Sequence, residues 1–232
     1  HYRDQVTDPE LKKAVTAFIG QEAMHGREHE AYNEAVAKAG MPVDAMEARV
    51  HWLLEELKLY SPKSMQRSAT IALEHFTAVL ADHLLRERET FAEHASPEEY
   101  ELWMWHAVEE TEHKAVAFDV LKAVTRPGTF YFLRVRSLLM ATIFFNINLF
   151  LHIRNLLAVE RMQWSLRAWG RLAHYLWINP GPLRKSIPAY LDWFKPSFHP
   201  CQLYTRQLLA DRKEPHGPEP PPTATSASTS AE

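Results

Sequence analysis

Glycine and cysteine are scarce in this sequence of 232 residues, which contains 7 Gly and a single Cys, Cys201. One cysteine excludes an internal disulfide and a thiolate-based zinc site, and it suits a reducing compartment. The scarcity of glycine, together with abundant Ala, Leu, Glu, Lys and Arg, favours helix nearly throughout. We therefore predict an all-α protein.

Neither sign of charge dominates, because the sequence contains 26 Lys and Arg and 29 Asp and Glu, with a formal net charge of −3. Because both signs are interspersed, the sequence lacks the basic footprint of a nucleic-acid-binding protein. No signal peptide opens the chain, which begins with His1. We expect a cytoplasmic protein, with the inner face of the membrane as the alternative location.

The stretch from Trp105 to Asp119 carries His106, Glu110 and His113 at spacings of four and three. At about 100° per residue these positions share one face of an α-helix, so two imidazoles and a carboxylate converge. Such groups are costly to bury unless a cation compensates them. The spacing indicates metal ligands, although a solvated helix rich in Glu and His gives the same pattern.

Glu22 and His25 repeat the Glu-x-x-His spacing on another predicted helix, where His29 shares their face. Glu74 lies among small residues on a third helix, and for Glu74 taken alone a solvated position is the simpler explanation. Two Glu-x-x-His helices plus helices with a lone Glu are what a four-helix bundle uses to hold two metal ions. We predict two transition-metal ions, preferably iron, with manganese or zinc as alternatives.

The predicted helices run from Pro9 to Gly40, from Val43 to Leu59, from Pro62 to about His94, and from Ser96 almost to Arg126. We assign residues 1–128 to a metal-binding bundle and residues 129–212 to apolar and aromatic helices packed on it within the same domain. Residues 213–232, rich in Pro, Ser, Thr and Ala, are expected to be disordered.

The segment from Leu138 to Leu151 is apolar on nearly all sides and is interrupted only by Asn146 and Asn148. It is shorter than the roughly 20 apolar residues that a bilayer core requires. We therefore predict a buried helix or a helix on a membrane surface, forming an apolar wall over a substrate pocket or against lipid.

At these residues the chain resembles the bacterial proteins called predicted metal-dependent hydrolases, which are grouped with ferritin-like helical proteins. The resemblance covers most of the chain and rests on the segments Phe18–His29, Ala72–Thr77, Trp105–Asp119 and Lys195–Pro200. It implies a ferritin-like bundle in which the metal ligands are Glu22, His25, Glu74, Glu110 and His113, with His29 and His106 as additional candidates. Locally, the spacing from His106 to His113 is also similar to that of the three-histidine di-iron arylamine N-oxygenases.

A ferritin-like site takes a lone Glu from each of two helices, and no residue before Glu22 supplies the first one. The resembling family carries a Phe-Pro-x-Gly-Glu segment upstream of the region that matches Tyr2 and Arg3. We expect that glutamate to precede the given sequence, with Glu55 or Glu56 as the alternative source.

Two enzymatic functions fit these ligands. The first is O₂-dependent oxidation of a hydrophobic small molecule at an iron pair, with an unidentified electron donor. The second is hydrolysis by metal-activated water, with Glu109 or Glu112 as general base. We favour oxidation because no serine nucleophile elbow or other hydrolase motif is present. A non-enzymatic metal-binding protein, peripheral membrane contact and homodimerisation stay open.

Overall fold

The computed structural model describes residues 5–202, apart from the side chains of Glu112 and His113. Every regular element in that part of the chain is helical, which confirms the predicted all-α class. In chain order the helices are α1 (Pro9–Lys38), α2 (Val43–Tyr60), α3 (Lys63–Arg86), α4 (Arg88–Ala92), α5 (Pro97–His113), α6 (Val116–Ala123), α7 (Pro127–Val159), α8 (Leu166–Trp177) and α9 (Pro182–Asp192). The predicted disordered tail, residues 213–232, lies outside the described residues.

Two helices begin at the capping residues that the sequence predicts. Asp8 Oδ1 accepts hydrogen bonds from the backbone N–H groups of Glu10 at 2.9 Å and Leu11 at 3.4 Å, at the start of α1. The Ser96 hydroxyl accepts from the Glu99 N–H at 3.2 Å while the Glu99 carboxylate accepts from the Ser96 N–H at 2.9 Å. This reciprocal capping box satisfies N–H groups that would otherwise lack partners at the start of α5.

The helix expected from Pro62 to about His94 is interrupted at Glu87, which separates α3 from α4. Glu87 leaves helical geometry with φ −100° and ψ 21°. Its carboxylate pairs with Lys185 Nζ of α9 at 2.5 Å. The prediction of one continuous helix is therefore wrong, and the partner of Glu87 is a residue distant in sequence.

The helix expected from Ser96 almost to Arg126 is also broken, at Lys114 and Ala115, directly after the second Glu-x-x-His motif. No Gly or Pro marks this position, so local sequence gives no signal of a break. Beyond it, Phe118 and Leu121 of α6 are each 1% exposed and belong to the core. The interruption therefore lies directly before a segment that is fixed in the core.

Helix α3 lies at the centre of the fold and packs against α5, α6, α7 and α9. Two clusters of buried apolar side chains adjoin it. The smaller cluster joins Ala81 and Leu85 of α3 to Met104 and Ala107 of α5. The larger one consists of Ile71, Ala72, Phe118, Leu121, Phe130, Leu138, Trp193 and Phe198.

Arg134 of α7 lies fully buried inside the larger cluster. Its guanidinium donates hydrogen bonds to the carbonyl oxygens of Lys195 at 2.7 Å and Phe198 at 3.3 Å. Five aromatic rings lie 5.2 to 5.9 Å from the guanidinium carbon, namely those of Phe118, Phe130, Tyr131, Trp193 and Phe198. These contacts offset the desolvation of the cation, although burial still lowers the pKa of Arg134.

The segment from Lys195 to Pro200, which supported the resemblance, has a structural role. Besides the carbonyls that hold Arg134, it supplies His199, whose Nε2 lies 2.9 Å from Asp119 Oδ1 of α6. Just before it, Trp193 Nε1 donates to the Arg134 carbonyl at 3.0 Å. His75 of α3 packs on Trp193, with ring centroids 4.5 Å apart. Because burial lowers the pKa of His75 to about 3, its ring is a neutral part of this core.

Helix α7 is longer and more exposed than the sequence suggests. It spans 33 residues, yet only 11% of its most apolar 18-residue window is buried. Its length and composition alone would allow it to cross a membrane. Of the two predicted alternatives for Leu138 to Leu151, a buried helix or a helix on a membrane surface, full burial does not hold for most of this stretch, because only one side of α7 packs on α3.

Replacing Arg134 by Lys should lower the free energy of unfolding by about 1–3 kcal/mol, measured by urea denaturation. Lysine keeps the charge, but it lacks the planar fork that donates to two carbonyls and packs among the aromatic rings. The same substitution at the exposed neighbour Arg136 is the control and should change stability little. Equal stability of the two variants would show that the Arg134 hydrogen bonds contribute nothing to the fold.

Candidate metal centre

The site lies between α1 and α5, which present complementary faces. Glu22, His25 and His29 occur at spacings of three and four along α1, so their side chains share one face. His106 and Glu110 do the same on α5. His29 meets His106, whereas His25 meets Glu110, so the two helices run antiparallel across the site.

Three imidazoles meet at the centre of this interface. One ring nitrogen from each of His25, His29 and His106 lies within 4.8 Å of the other two. His29 Nε2 and His106 Nδ1 form a hydrogen bond of 3.3 Å between residues 77 positions apart. The rings of His25 and His29 stack with centroids 4.5 Å apart. Side chains distant in sequence are thus brought together at a single point.

Two buried carboxylates flank His25 on its two nitrogen atoms. Glu109 Oε2 lies 3.3 Å from His25 Nδ1, and Glu110 Oε1 lies 3.8 Å from His25 Nε2. Glu110 Oε1 is also 3.8 Å from His106 Nε2. The contact between Glu109 and His25 is close but poorly directed, so both atoms are buried without a hydrogen bond among the described residues.

The electrostatic environment shifts the pKa values of the three histidines in different directions. Burial lowers the pKa of His25, but Glu109, Glu110 and Glu22 outweigh this effect, so the pKa of His25 is raised overall. Burial and the neighbouring His25 lower the pKa of His29. The same two causes, with His29 in addition, lower the pKa of His106 to about 3. His106 is therefore neutral at pH 7 and offers a nitrogen lone pair.

Aromatic side chains cover the histidines on the α5 side. The Trp103 ring lies 6.0 Å from His29 and 5.3 Å from His106, both edge to face. Trp105 contacts His25 at 6.3 Å. As a result, the side chains of His25 and His106 are only 12% and 17% exposed. This partial enclosure strengthens electrostatic interactions within the site.

The residues present fit a transition-metal ion. Imidazole nitrogen and carboxylate oxygen are ligands for zinc, iron and manganese. Ligands bound tetrahedrally at about 2.1 Å lie roughly 3.4 Å from one another, and the two histidine Nε2 atoms each lie 3.8 Å from Glu110 Oε1. A nearby cation would also compensate the buried charge of Glu109, whose Oε2 atom has no hydrogen bond among the described residues.

The remaining predicted ligands have different positions. Glu22 is half-buried and close enough to raise the pKa of His25. Glu74 is half-buried on α3, the helix that packs against α5. His113 ends α5, but its side chain lies outside the described part of the chain. The ligand roles of these three residues, and of the histidine cluster itself, stay predictions.

Two hollows lie beside α3, and the sequence indicated only the first of them, through the predicted apolar wall of α7. An apolar cavity of about 480 Å³ lies between α2, α3 and α7, and its walls include Leu53, Leu57, Met140 and Phe144. A second hollow, of about 360 Å³, lies between α1, α3 and α6. The apolar stretch of α7 was the only signal of the first, because the walls come from three separate helices.

A family model described as "predicted metal-dependent hydrolase" matches residues 1–203 of the chain. This match confirms the resemblance inferred from the four sequence segments. Comparison with curated proteins and with solved structures gave no match.

Replacing His106 by Ala should reduce metal affinity by more than the roughly 10–100-fold typical of residues that only orient a ligand. The measurement is titration of chelator-treated protein with Zn²⁺ or Mn²⁺, followed by elemental analysis. His94→Ala, at an exposed position after α4, is the control and should bind as the unmodified protein does. Unchanged affinity and stoichiometry in His106→Ala would show that the cluster is not the metal site.

Proposed function

Because the chain belongs to the family of predicted metal-dependent hydrolases, we propose that it is a hydrolase whose catalytic metal is held between α1 and α5. The observation that carries the proposal is the convergence of His25 Nε2 and His106 Nε2 on Glu110 Oε1, each at 3.8 Å. When bound, a transition-metal ion would supply Lewis acidity and lower the pKa of a water molecule, as hydrolysis requires.

The neighbours of His25 determine which of its nitrogens holds the metal. Glu109 Oε2 lies 3.3 Å from Nδ1, and a small rotation of either side chain would let it accept the Nδ1 proton, which would leave the lone pair on Nε2. Nε2 in turn faces Glu110. We therefore assign His25 Nε2 to the metal and give Glu109 the role of positioning the His25 ring.

His106 has an equivalent arrangement. Its Nδ1 shares a hydrogen bond with His29 Nε2, which leaves Nε2 of His106 directed at Glu110. His29 thus positions His106 as Glu109 positions His25. Two histidines and one glutamate would then hold the ion and leave a coordination position open, as catalytic sites do.

Two of the predictions made from the sequence, a second metal ion and O₂-dependent oxidation, are not part of this proposal. A second metal ion would draw on Glu22, Glu74 and His113, and it stays a prediction. O₂-dependent oxidation, which the sequence favoured, gains no support from the family description, which names a hydrolase. Hydrolysis is therefore preferred here, and oxidation becomes an outcome of the experiment below.

The predicted hydrophobic substrate has a suitable place along α3. Gln66 lines both the apolar cavity and the second hollow, and its amide donates to the carbonyls of Lys58 and Ser61 at 2.9 and 2.8 Å. Phe18 and Thr70 line the second hollow and precede Glu22 and Glu74 by one helical turn each. An extended substrate would lie with its apolar part in the cavity and its reacting bond near α1.

Zn²⁺- or Mn²⁺-loaded protein should hydrolyse members of a panel of chromogenic ester, amide and phosphoester substrates with acyl chains, whereas the chelated protein should not. His106→Ala should lose this activity, and His94→Ala should retain it. Oxygen uptake by the Fe²⁺-loaded protein, with no hydrolysis under any metal, would overturn the proposal in favour of oxidation.

Glu109→Gln separates positioning from general-base catalysis at Glu109. Glutamine keeps an oxygen that can accept from His25 Nδ1 but loses the charge, so metal affinity should fall about 10–100-fold. With saturating metal, kcat should recover if Glu109 only positions His25. A kcat that remains about 10²–10⁴-fold lower in the metal-saturated variant would instead identify Glu109 as the general base predicted from the sequence.

A further inference from the structure

The outer surface of α7 and α8 is unusually apolar for a surface exposed to water. Trp164 is 76% exposed and Leu166 is 88% exposed, at the start of α8. Further exposed apolar side chains on this surface are Phe132, Leu139, Ile143, Ile147, Phe150, Trp177 and Ile178. An apolar surface of this extent indicates an interaction with another molecule or a membrane.

The charge of this region is opposite to that of the whole chain. Residues 127–185 contain one acidic residue, Glu160, although the chain has a net charge of −3. Apart from Arg134, which is buried, and Lys185, which pairs with Glu87, the basic residues of the region are Arg136, Arg154, Arg161, Arg167, Arg171 and Arg184. A basic and apolar surface is complementary to anionic groups that border an apolar phase.

Helix α8 has apolar side chains on one face and basic side chains on another. At about 100° per residue, Leu166, Trp169, Leu176 and Trp177 fall on one side of the helix, and Arg167 and Arg171 fall on the other. Trp169 stacks on Phe150 of α7 with ring centroids 5.0 Å apart, which attaches α8 to α7. Leu166 and Trp177 remain exposed next to the arginines. This pattern is typical of helices that lie in the interface of a membrane.

Contacts in the middle of α7 oppose a transmembrane position. Phe145 stacks on Phe76 of α3 at 5.3 Å, and the Thr142 hydroxyl bonds the Tyr190 hydroxyl of α9 at 2.9 Å. Arg134 attaches the beginning of α7 to the segment after α9. A helix attached in this way to the core has one face for the protein and one for its surroundings, so only its outer face is open to contact with a membrane.

We propose that the outer surface of α7 and α8 docks onto the surface of an anionic lipid bilayer, with Trp164 and Leu166 inserted between headgroups and Arg167 and Arg171 paired with lipid phosphates and carboxylates. A second copy of the chain fits less well, because a symmetric contact would bring two basic surfaces together. This docking does not depend on the metal chemistry proposed above.

Flotation of the full chain with lipid vesicles tests the proposal. Binding to vesicles of phosphatidylcholine with phosphatidylserine should exceed binding to phosphatidylcholine alone and should weaken as salt is raised. Reversing Arg167 and Arg171 to Glu together should weaken binding at least about 25-fold, because each basic residue near the surface contributes about fivefold. Trp164→Ser with Leu166→Ser should weaken binding to both kinds of vesicle.

Matched variants on α1 and α2, which are not part of the proposed surface, complete the experiment. Lys13→Glu with Lys38→Glu changes two exposed charges of α1, and Leu59→Ser with Tyr60→Ser changes two exposed apolar residues of α2. Both should bind vesicles as the unmodified chain does, and all variants should keep its circular dichroism spectrum.

Absence of vesicle binding, or equal effects of the control and α8 variants, would overturn the proposal. So would a dimer, detected by sedimentation, that Trp164→Ser with Leu166→Ser dissociates.

Discussion

The fold depends on the buried guanidinium of Arg134 and the carbonyls that receive it. This one side chain joins α7 to the segment that follows α9, and the aromatic rings around it come from α6, α7 and that segment. A buried cation without partners is strongly unfavourable. The positions of Lys195 and Phe198 are therefore tied to that of α7, and through Trp193 and His75 to that of α3.

The proposed metal centre is organised around His25 in a similar way. Its ring has a carboxylate at each nitrogen, and the lowered pKa of His106 beside it keeps that imidazole neutral at physiological pH. The same arrangement underlies the different roles that we propose for two adjacent glutamates on α5. Glu109 and Glu110 differ by about 100° around the helix, and they meet opposite edges of one imidazole ring.

Much of this organisation was predictable from local sequence. The starts of α1 and α5 follow from Asp8 and Ser96, and the spacing of His25, His29, His106 and Glu110 predicts that each group shares a helix face. What the sequence did not reveal depends on contacts between distant residues. The break after His113 precedes the buried Phe118 and Leu121 without a local Gly or Pro to mark it, and the contact of His106 with His29 depends on how α1 crosses α5. The ferritin-like arrangement stays a prediction.

Helix α1 has no buried residue over its 30 positions, although it contributes His25 and His29 to the site. The apolar side chains of α1 that face the protein, among them Leu11, Val15 and Phe18, are only half-buried, so the apolar seam of α1 is weaker than that of a core helix. A cation shared with α5 would act as a clamp between the two helices, and ligand linkage gives about 4 kcal/mol of stabilisation when free metal is a thousand times Kd. If a metal ion binds there, its occupancy and the docking of α1 on α5 are linked, so removing the metal would loosen α1 at this contact before the packing around Arg134 is affected.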